Sequence, residues 1–376
     1  MTLLHLCSGK NKEGYWHALF GAFEADFAPV KSSLSKLRKK ISYVFFSDHL
    51  KTLLSSFKRP TWRGLHIYAS DGFEVAIPRT ESILEEGYRG RRMISKGKTG
   101  ESYYPHLYMV HTYDVLSKTT RALSFGPQSN EIKGALENLK DLEQKSLTIY
   151  DRFYSAKKVM KAHFEHRSFF MIRCREEKFG VPKEVTEFFR SSKNRDSFLL
   201  DGDSEKRVYL YKIKHPKQKE MMVIATNKKD LGKDTVRDLY RLRWEVEISF
   251  RDLVESLKIE QWHSRDTNGI YQEIYMRFWI MNFARIHQFS IEKPVKNPFA
   301  RFYKRSNFKL VLDFIIDHWG EFFAKSKKIL QKLEKIISRS TEKRKRYSRS
   351  YPRQIRFNPS NYKAANVVFD KGEQSP

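Results

Sequence analysis

Apolar residues recur every three or four positions between residues 234 and 257, which predicts one amphipathic helix. Tyr240, Arg243 and Glu247 follow one another at the same spacing along the border of the apolar stripe, whereas Glu245 is expected on the solvent side. Glu247 is therefore predicted to lie against the protein body beside a guanidinium and a phenol. The alternative is a plain i,i+4 ion pair on a helix surface, worth about 0.3–0.5 kcal/mol. The apolar stripe consists of Leu239, Leu242, Val246, Phe250, Leu253 and Leu257.

Alternation of apolar and polar residues predicts a set of strands upstream of this helix. The first strand begins at Leu65 and ends at Asp71, just before Gly72, and the fourth ends at Asp151. The second and third strands are predicted at 106–115 and 120–125, a further strand at 168–173, and helices at 13–57, 128–142, 155–166 and 270–289. The glycine-rich and basic segment 79–105 is interpreted as a loop.

Short strand-like pieces separated by polar turns distinguish residues 174–228, where Asp201-Gly202 is a typical turn pair. We interpret this segment as a β-rich insertion in an α/β protein. The predicted organisation is a helical N-terminal region at 1–62, a first core part at 63–173, the insertion at 174–228, a second core part at 229–292 and a basic C-terminal region at 293–376.

The ends of the predicted strands bring acidic residues together. If the first and fourth strands are neighbours in an open sheet, Asp71 and Asp151 project at the same edge, and the helix carrying Glu247 can cross that edge. Three converging carboxylates repel one another unless cations neutralise them. Two divalent ions about 3.5–4 Å apart would do so and would suit a phosphodiester displacement. Taken singly, Asp71 and Asp151 are equally typical of turn or capping residues.

Composition adds the expected partner. Lys and Arg total 72 against 44 Asp and Glu, a formal net charge of +28, which favours a polyanion such as DNA. No apolar run approaches the 18 residues of a membrane helix, and the N-terminus lacks a signal-peptide core, so we expect a cytoplasmic, nucleoid-associated protein and no membrane contact. Cys7 and Cys174 form no metal-binding pair. A metal would need oxygen ligands, which suits Mg²⁺, with Mn²⁺ as a substitute.

These motifs resemble a known family. Asp71-Gly72, the YDR sequence at 150–152 and, above all, the Tyr240-x2-Arg243-x3-Glu247 spacing are similar to the bacterial DDE transposases of the IS-four group, with their Tyr-Arg-Glu-Lys signature. The resemblance covers most of residues 35–356. It implies an RNase H-like core in which Asp71, Asp151 and Glu247 bind Mg²⁺. It also implies cut-and-paste transposition through DNA hydrolysis, hairpin formation and strand transfer, by a homodimer on double-stranded DNA.

The sequence departs from the family pattern at two positions near the site. The signature lysine would fall at Val254, and we expect Lys258, one helical turn later, to replace it; the alternative is that Val254 packs in the core. Phe153 stands where the family often has glycine after Arg152. The aromatic candidates for holding a flipped base are Phe179, Phe188, Phe189 and Tyr209, although packing within the insertion is the expected role of most of them. For Tyr240 and Arg243, support of Glu247 by hydrogen bonding is an equal alternative to DNA contact. The further residues predicted to contact DNA are Tyr240, Arg243, Arg152, Arg91, Arg92, Lys96, Lys98, Arg344 and Arg346.

Three functions stay open at this stage. The first is a cut-and-paste transposase, the second an RNase H-like nuclease that cuts without joining, and the third an inactive, transposon-derived DNA-binding protein. For the basic residues, a solvated surface is the alternative to DNA contact.

Overall fold

A mixed β-sheet with helices on both faces organises the chain. The computed structural model describes residues 36, 38–95, 98–128, 130–176, 179–214, 221–292, 298–300, 302–323, 327–345 and 367–369. The strands are β1 His66–Ala76, β2 Gly90–Ser95, β3 Lys98–Asp114, β4 Thr119–Gly126, β5 Ser146–Tyr150, β6 Phe169–Arg173, β7 Arg195–Leu199, β8 Arg207–Lys214, β9 Met221–Thr226, β10 Phe302–Arg305, β11 Glu342–Lys345 and β12 Val367–Phe369. The helices are α1 Tyr43–Ser55, α2 Glu81–Glu85, α3 Glu131–Leu139, α4 Lys157–Glu165, α5 Lys183–Arg190, α6 Lys233–Arg241, α7 Trp244–Arg251, α8 Thr267–Ile291, α9 Phe308–Asp317, α10 Trp319–Phe323 and α11 Lys327–Arg339.

The centre of the sheet is β1 with its two neighbours. β1 pairs antiparallel with β3 along most of its length and parallel with β5 as far as Ser70, which lies opposite Tyr150. β4 continues the antiparallel side and β6 the parallel side. The order β4–β3–β1–β5–β6, with these directions, is that of an RNase H-like core. The first and fourth predicted strands, β1 and β5, are therefore neighbours, as the sequence analysis expects.

The strands of the predicted β-rich insertion join this same sheet. β9 pairs antiparallel with β6, and β8 and β7 follow it outward. The turn before β8 contains Asp201 and Gly202 with φ of 58° and 74°, the left-handed region that the Asp-Gly pair predicts. The domain boundaries at residues 62, 173, 228 and 292 stay a prediction.

Apolar residues on the two faces of the sheet enter separate clusters, as strand alternation requires. On β6, Met171 packs with the residues of α6 and α7, such as Leu239. Its neighbours Phe170 and Ile172 pack on the other face with α4 and α5. A third cluster joins the far end of β1 and β3 to α1, α8, α9 and α11.

The 25-residue helix α8 anchors the helices around that third cluster. Its buried Glu273 forms ion pairs with Arg38 at 2.7 Å and with Arg277 at 3.5 Å, and it accepts a hydrogen bond from the backbone N–H of Ser264. Across the described residues, the structure contains no helix with the length and apolarity needed to cross a bilayer.

Three sequence predictions about the elements were wrong or fall partly outside the described residues. Segment 79–105 is not a loop, because it contains α2, β2 and the first residues of β3, and β2 pairs antiparallel with β3. The first strand does not end at Asp71, since β1 continues to Ala76 with β3 as its partner. Of the helix predicted at 13–57, α1 is confirmed, whereas residues 13–35 lie outside the described residues.

Candidate active site

Asp71 and Asp151 lie side by side because their strands run parallel. The last residue pair of the β1–β5 ladder is Ser70 opposite Tyr150, so each aspartate is the next residue along its own strand direction. Asp71 stays within the sheet, opposite His111 of β3. The two aspartates therefore follow neighbouring positions of parallel strands, and Asp151 is close enough to contribute to the raised pKa of Asp71.

The chain leaves the sheet immediately after β5, and Asp151 organises the departure. Its Oδ1 accepts a hydrogen bond from the backbone N–H of Phe153 at 2.6 Å and thereby caps a single 3₁₀ turn, Arg152–Tyr154. The turn leaves Arg152 and Phe153 exposed at the sheet edge and buries Tyr154.

Arg243 links the carboxylates of Asp71 and Glu247. Its Nη1 lies 3.2 Å from Asp71 Oδ2 and its Nη2 lies 2.6 Å from Glu247 Oε1. These ion pairs join residues 172 positions apart, β1 to the start of α7. All three side chains are largely buried, with exposed fractions of 14% for Arg243, 20% for Asp71 and 23% for Glu247. The start of the helix carrying Glu247 therefore lies against β1 at Asp71.

The electrostatic state of this cluster follows from its burial. Burial raises the pKa of Asp71 to about 7; Arg243 and the backbone N–H of Gly72 oppose the rise, while Asp151 and Glu131 add to it. Burial by itself lowers the pKa of Arg243, but Tyr240, Asp71 and Glu247 together raise it above its ordinary value. Arg243 thus stays charged, and its single positive charge does not fully compensate the acidic residues around it.

Tyr240 is a partly buried member of the same cluster. Burial raises the pKa of its phenol to about 12, whereas Arg243 and Arg173 favour the ionised form. The phenol therefore stays protonated near neutral pH. The Tyr240–Arg243–Glu247 arrangement predicted at the border of the apolar stripe is present.

Oxygen ligands of this kind suit Mg²⁺ or Mn²⁺, and Asp71 lacks full compensation for its charge, so the donor chemistry fits a divalent cation. Among the described residues, however, no three His, Cys, Asp or Glu side chains are grouped closely enough to hold a metal. Arg243 instead supplies the positive charge between Asp71 and Glu247. A cation bound by both of these carboxylates would therefore compete with this guanidinium.

The prediction of one continuous α-helix through the site was wrong. The backbone N–H of Arg243 donates to the carbonyl oxygen of Tyr240, and that of Val246 donates to the carbonyl oxygen of Arg243. Each acceptor lies three residues earlier instead of four, so the helix is tighter between α6 and α7. After α7 a π turn, Asp252–Ser256, follows, closed by the N–H of Leu257 bonding to Asp252. The apolar stripe is nevertheless confirmed, since its members are buried or pack against the core: Leu239, Leu242, Val246, Phe250, Leu253 and Leu257.

Two residues of this segment are placed differently from the prediction. Glu245 does not face solvent: its Oε2 lies 2.6 Å from Nζ of Lys118, with exposed fractions of 12% and 9%, because the β3–β4 turn covers that side of α7. Lys258 is not on the helix face of Glu247, since the helix has ended and Lys258 has a left-handed φ of 48° and an exposed side chain. Val254 packs against the core, which confirms the alternative for that position.

The other residues predicted to contact DNA are only partly described. Arg91 and Arg152 are exposed. The backbones of Arg92, Lys98 and Arg344 lie in β2, β3 and β11, whereas their side chains, like Lys96 and Arg346 as a whole, lie outside the described part. Their roles stay predictions.

The aromatic candidates divide by burial. Phe188 is buried in the core, and Phe189 and Tyr209 pack against apolar clusters, so these three rings have structural roles. Phe179 is fully exposed. Phe153, noted above only as a departure from the family pattern, is a further exposed aromatic residue next to Asp151. It is half-exposed, and the guanidinium of Arg175 lies 4.1 Å from the centre of its ring.

Sequence reasoning also missed Glu131, the first residue of α3. A Cβ atom built on Gly72 would lie 2.7 Å from Glu131 Oε1, so this side chain passes directly over the backbone next to Asp71. The available signal was its position after Asn130, which caps the helix, in the predicted helix that follows the third strand.

Comparison with known proteins identifies the family. The family described as "Transposase DDE domain" matches residues 62–283, more than half of the chain. The chain belongs to this family. The match includes all three candidate carboxylates, Asp71, Asp151 and Glu247.

Solved structures give more distant likenesses. A piggyBac transposase in a synaptic complex with hairpin DNA is 14% identical, with a TM-score of 0.40, and the alignment covers 72% of this chain and 57% of that one. Ciona intestinalis Endonuclease V bound to DNA is 8% identical, with a TM-score of 0.23, covering 52% of this chain and 87% of that one. No curated protein sequence matches the chain. The family assignment therefore rests on the domain match.

Proposed function

We propose that this DDE-domain protein is a transposase that cuts and joins DNA, with Asp71, Asp151 and Glu247 as its metal-binding carboxylates. The observation that carries the proposal is the pair of contacts from Arg243 to Asp71 and Glu247, which unites acidic residues from distant parts of the chain at one sheet edge. Asp151 follows the neighbouring parallel strand to the same edge.

Each residue has a distinct task in this proposal. The three carboxylates would hold divalent cations, Mg²⁺ or Mn²⁺, and such cations would supply activation of the attacking oxygen and stabilisation of the charge on the leaving oxygen. Arg243 keeps Asp71 and Glu247 in place, and the partly buried phenol of Tyr240 interacts with its guanidinium. Arg152, exposed directly after Asp151, is positioned to contact a phosphate of the DNA backbone.

The finer assignment is part of the same proposal. Membership of the IS-four group implies cut-and-paste transposition with hairpin-ended intermediates and a homodimer on the paired DNA ends. Support comes from the Tyr240, Arg243 and Glu247 arrangement. The net charge of +28 supports binding to DNA phosphates, with an affinity that falls steeply as salt increases.

The test is to incubate the full chain with DNA carrying the element's ends and Mg²⁺, and to resolve nicked, hairpin-ended and joined products. All three products are expected. Nicks without joining would instead favour an RNase H-like nuclease, and binding without cleavage would favour an inactive DNA-binding protein.

Variants assign the chemistry to residues. Asp71→Ala, Asp151→Ala and Glu247→Ala should each abolish cleavage and leave DNA binding largely intact. Glu255→Ala, which removes an exposed carboxylate eight residues after Glu247, is the matched control and should cut normally. Normal cleavage by any triad variant would remove that residue from the site.

A further inference from the structure

A stripe of positive charge runs along one side of helix α11. At 100° per residue, its four members fall within about 60° of one another over about 16 Å of helix length. All four side chains are exposed, and within the described part of the chain none of them forms an ion pair with a carboxylate. The stripe consists of Lys328, Lys332, Lys335 and Arg339.

The packing of α11 fixes this stripe towards solvent. Ile329, Leu333 and Ile337 are fully buried. Leu333 and Ile337 belong to the core cluster that also contains residues of α8 and α9. These apolar residues lie on the other side of the helix from the stripe, so the helix presents its four cations as a row on the protein surface.

The stripe is electrostatically unfavourable in the protein alone. Lys328 lies in the first turn, where the helix dipole disfavours cations and α11 has no acidic residue. Lys328 with Lys332, and Lys335 with Arg339, are like-charge pairs four residues apart, which destabilise a helix. Glu334 lies neither three nor four residues from a member of the stripe and cannot pair with one along the helix. A polyanion lying against the stripe would turn each of these costs into an attraction.

The two-stranded ribbon of β10 and β11 continues the positive charge beyond the end of α11. Lys304 lies directly opposite Lys343 in its antiparallel ladder, and both side chains are exposed. Like charges in opposite positions of a ladder repel each other. The backbone N–H of Asn307, just after β10, donates a hydrogen bond to Ser340 Oγ, just after α11, at 3.4 Å. The ribbon is therefore attached where the stripe ends.

Helix α8 connects this ribbon to the candidate active site. Gln288 Nε2 donates a hydrogen bond of 2.7 Å to the hydroxyl of Ser306, the residue after β10. One helical turn earlier, Arg285 Nη2 lies 2.5 Å from Oδ2 of Asp252, the residue after α7. DNA bound at the ribbon would thus be held by the same packed unit that carries Glu247.

We propose that this basic surface binds the phosphate backbone of double-stranded DNA without reading its bases. It rests on the proposed function, because it gives the DNA partner a binding surface separate from the three carboxylates. The stripe alone is as long as about five base pairs at 3.4 Å each. The basic surface consists of Lys328, Lys332, Lys335 and Arg339 of α11 with Lys304 and Lys343 of the ribbon.

The salt dependence of DNA binding tests the inference. The full chain is titrated, with EDTA present to prevent cleavage, onto fluorescently labelled DNA duplexes of two unrelated sequences, and anisotropy gives the affinity. Each lost phosphate contact reduces the slope of log affinity against log salt by about 0.9. Replacing the four stripe residues by glutamine should therefore reduce the slope by about 3–4 and weaken binding at least about tenfold at physiological salt, equally for both duplexes. Lys304→Gln with Lys343→Gln should reduce the slope by about 2.

A matched control removes the same charge elsewhere on the surface. Its four exposed lysines each form an ion pair with a carboxylate, and their replacement by glutamine should change the slope by less than about 1. The control variant combines Lys51→Gln, Lys133→Gln, Lys183→Gln and Lys193→Gln.

The outcomes separate this inference from the proposed function. If the stripe variant and the control change the slope equally, net charge alone matters, the basic surface is wrong and the proposed function stands. If the wild type does not bind either duplex, the proposed function fails as well. Without DNA, the stripe variant should melt no lower than the wild type, because its like-charge pairs are gone. Melting several degrees lower would contradict the electrostatic argument.

Discussion

Replacement of Asp71 by asparagine should stabilise the metal-free protein, and by an amount that depends on pH. Burial is the largest influence that raises the pKa of Asp71 from 3.8 to about 7. Between these two values the folded protein binds one more proton than the unfolded chain, so the free energy of unfolding falls as the pH rises. Asparagine has no such titration, and the variant should escape this loss.

The size of the effect follows from the shift. Each pKa unit corresponds to about 1.4 kcal/mol, so the full shift gives an upper limit of about 4 kcal/mol. The Asp71 side chain is 20% exposed and forms an ion pair with Arg243 that asparagine weakens. We therefore expect a gain of about 1–3 kcal/mol at neutral pH. The gain should be near zero around pH 4, grow up to about pH 7 and then level off.

Urea denaturation between about pH 4 and pH 8 measures the gain as the difference in free energy of unfolding between variant and wild type. Saturating Mn²⁺ should narrow the difference, because a bound cation stabilises the ionised Asp71 of the wild type. Asp313→Asn, which changes a half-exposed carboxylate on α9, should show no comparable pH dependence. A difference that is constant with pH, or a variant less stable than the wild type at neutral pH, would refute the reasoning.

Three further predictions concern the surroundings of the site. Burial alone would raise the pKa of Glu273, but hydrogen bonding by His263 and ion pairs with Arg277 and Arg38 lower it to about 2. Glu273→Gln should therefore reduce the free energy of unfolding by about 3–5 kcal/mol above pH ~4.5. Urea denaturation should show this loss disappearing as the pH falls towards 2. Glu245→Ala should lower the free energy of unfolding by about 1–3 kcal/mol, because it removes the partner of the nearly buried Lys118; an unchanged melting temperature would contradict this. Val254→Lys should melt several degrees lower, since it inserts an ammonium against the apolar core, and equal melting would mean that the side chain reaches water.

Most of the sheet was predictable from the sequence because strand alternation is a local signal. The alternation in β1 and the short apolar segment before Asp151 are both recognisable as strands, although residues 67–70 of β1 are buried on both faces of the sheet. The convergence of Asp71 and Asp151 then follows from one assumption, that these strands are parallel neighbours. Glu131 was out of reach, because its approach depends on the missing side chains of Gly72 and Gly134, and no periodicity reports such a close contact.

In the segment around Glu247, the helical period predicts the buried residues correctly although the helix is irregular in two places. A 3₁₀ step rotates the chain by about 120° per residue and a π turn by less than the 100° of an α-helix. The tight step before α7 and the wide turn after it therefore offset each other. Leu239 and Leu257, which lie five α-helical turns apart, are both fully buried, as a uniform helix predicts. Glu245 lies between the two irregularities and the β3–β4 turn covers it, while Lys258 lies beyond them both. The 3.6-residue period thus predicts the core of this segment correctly and misplaces the two charged residues that core packing does not hold.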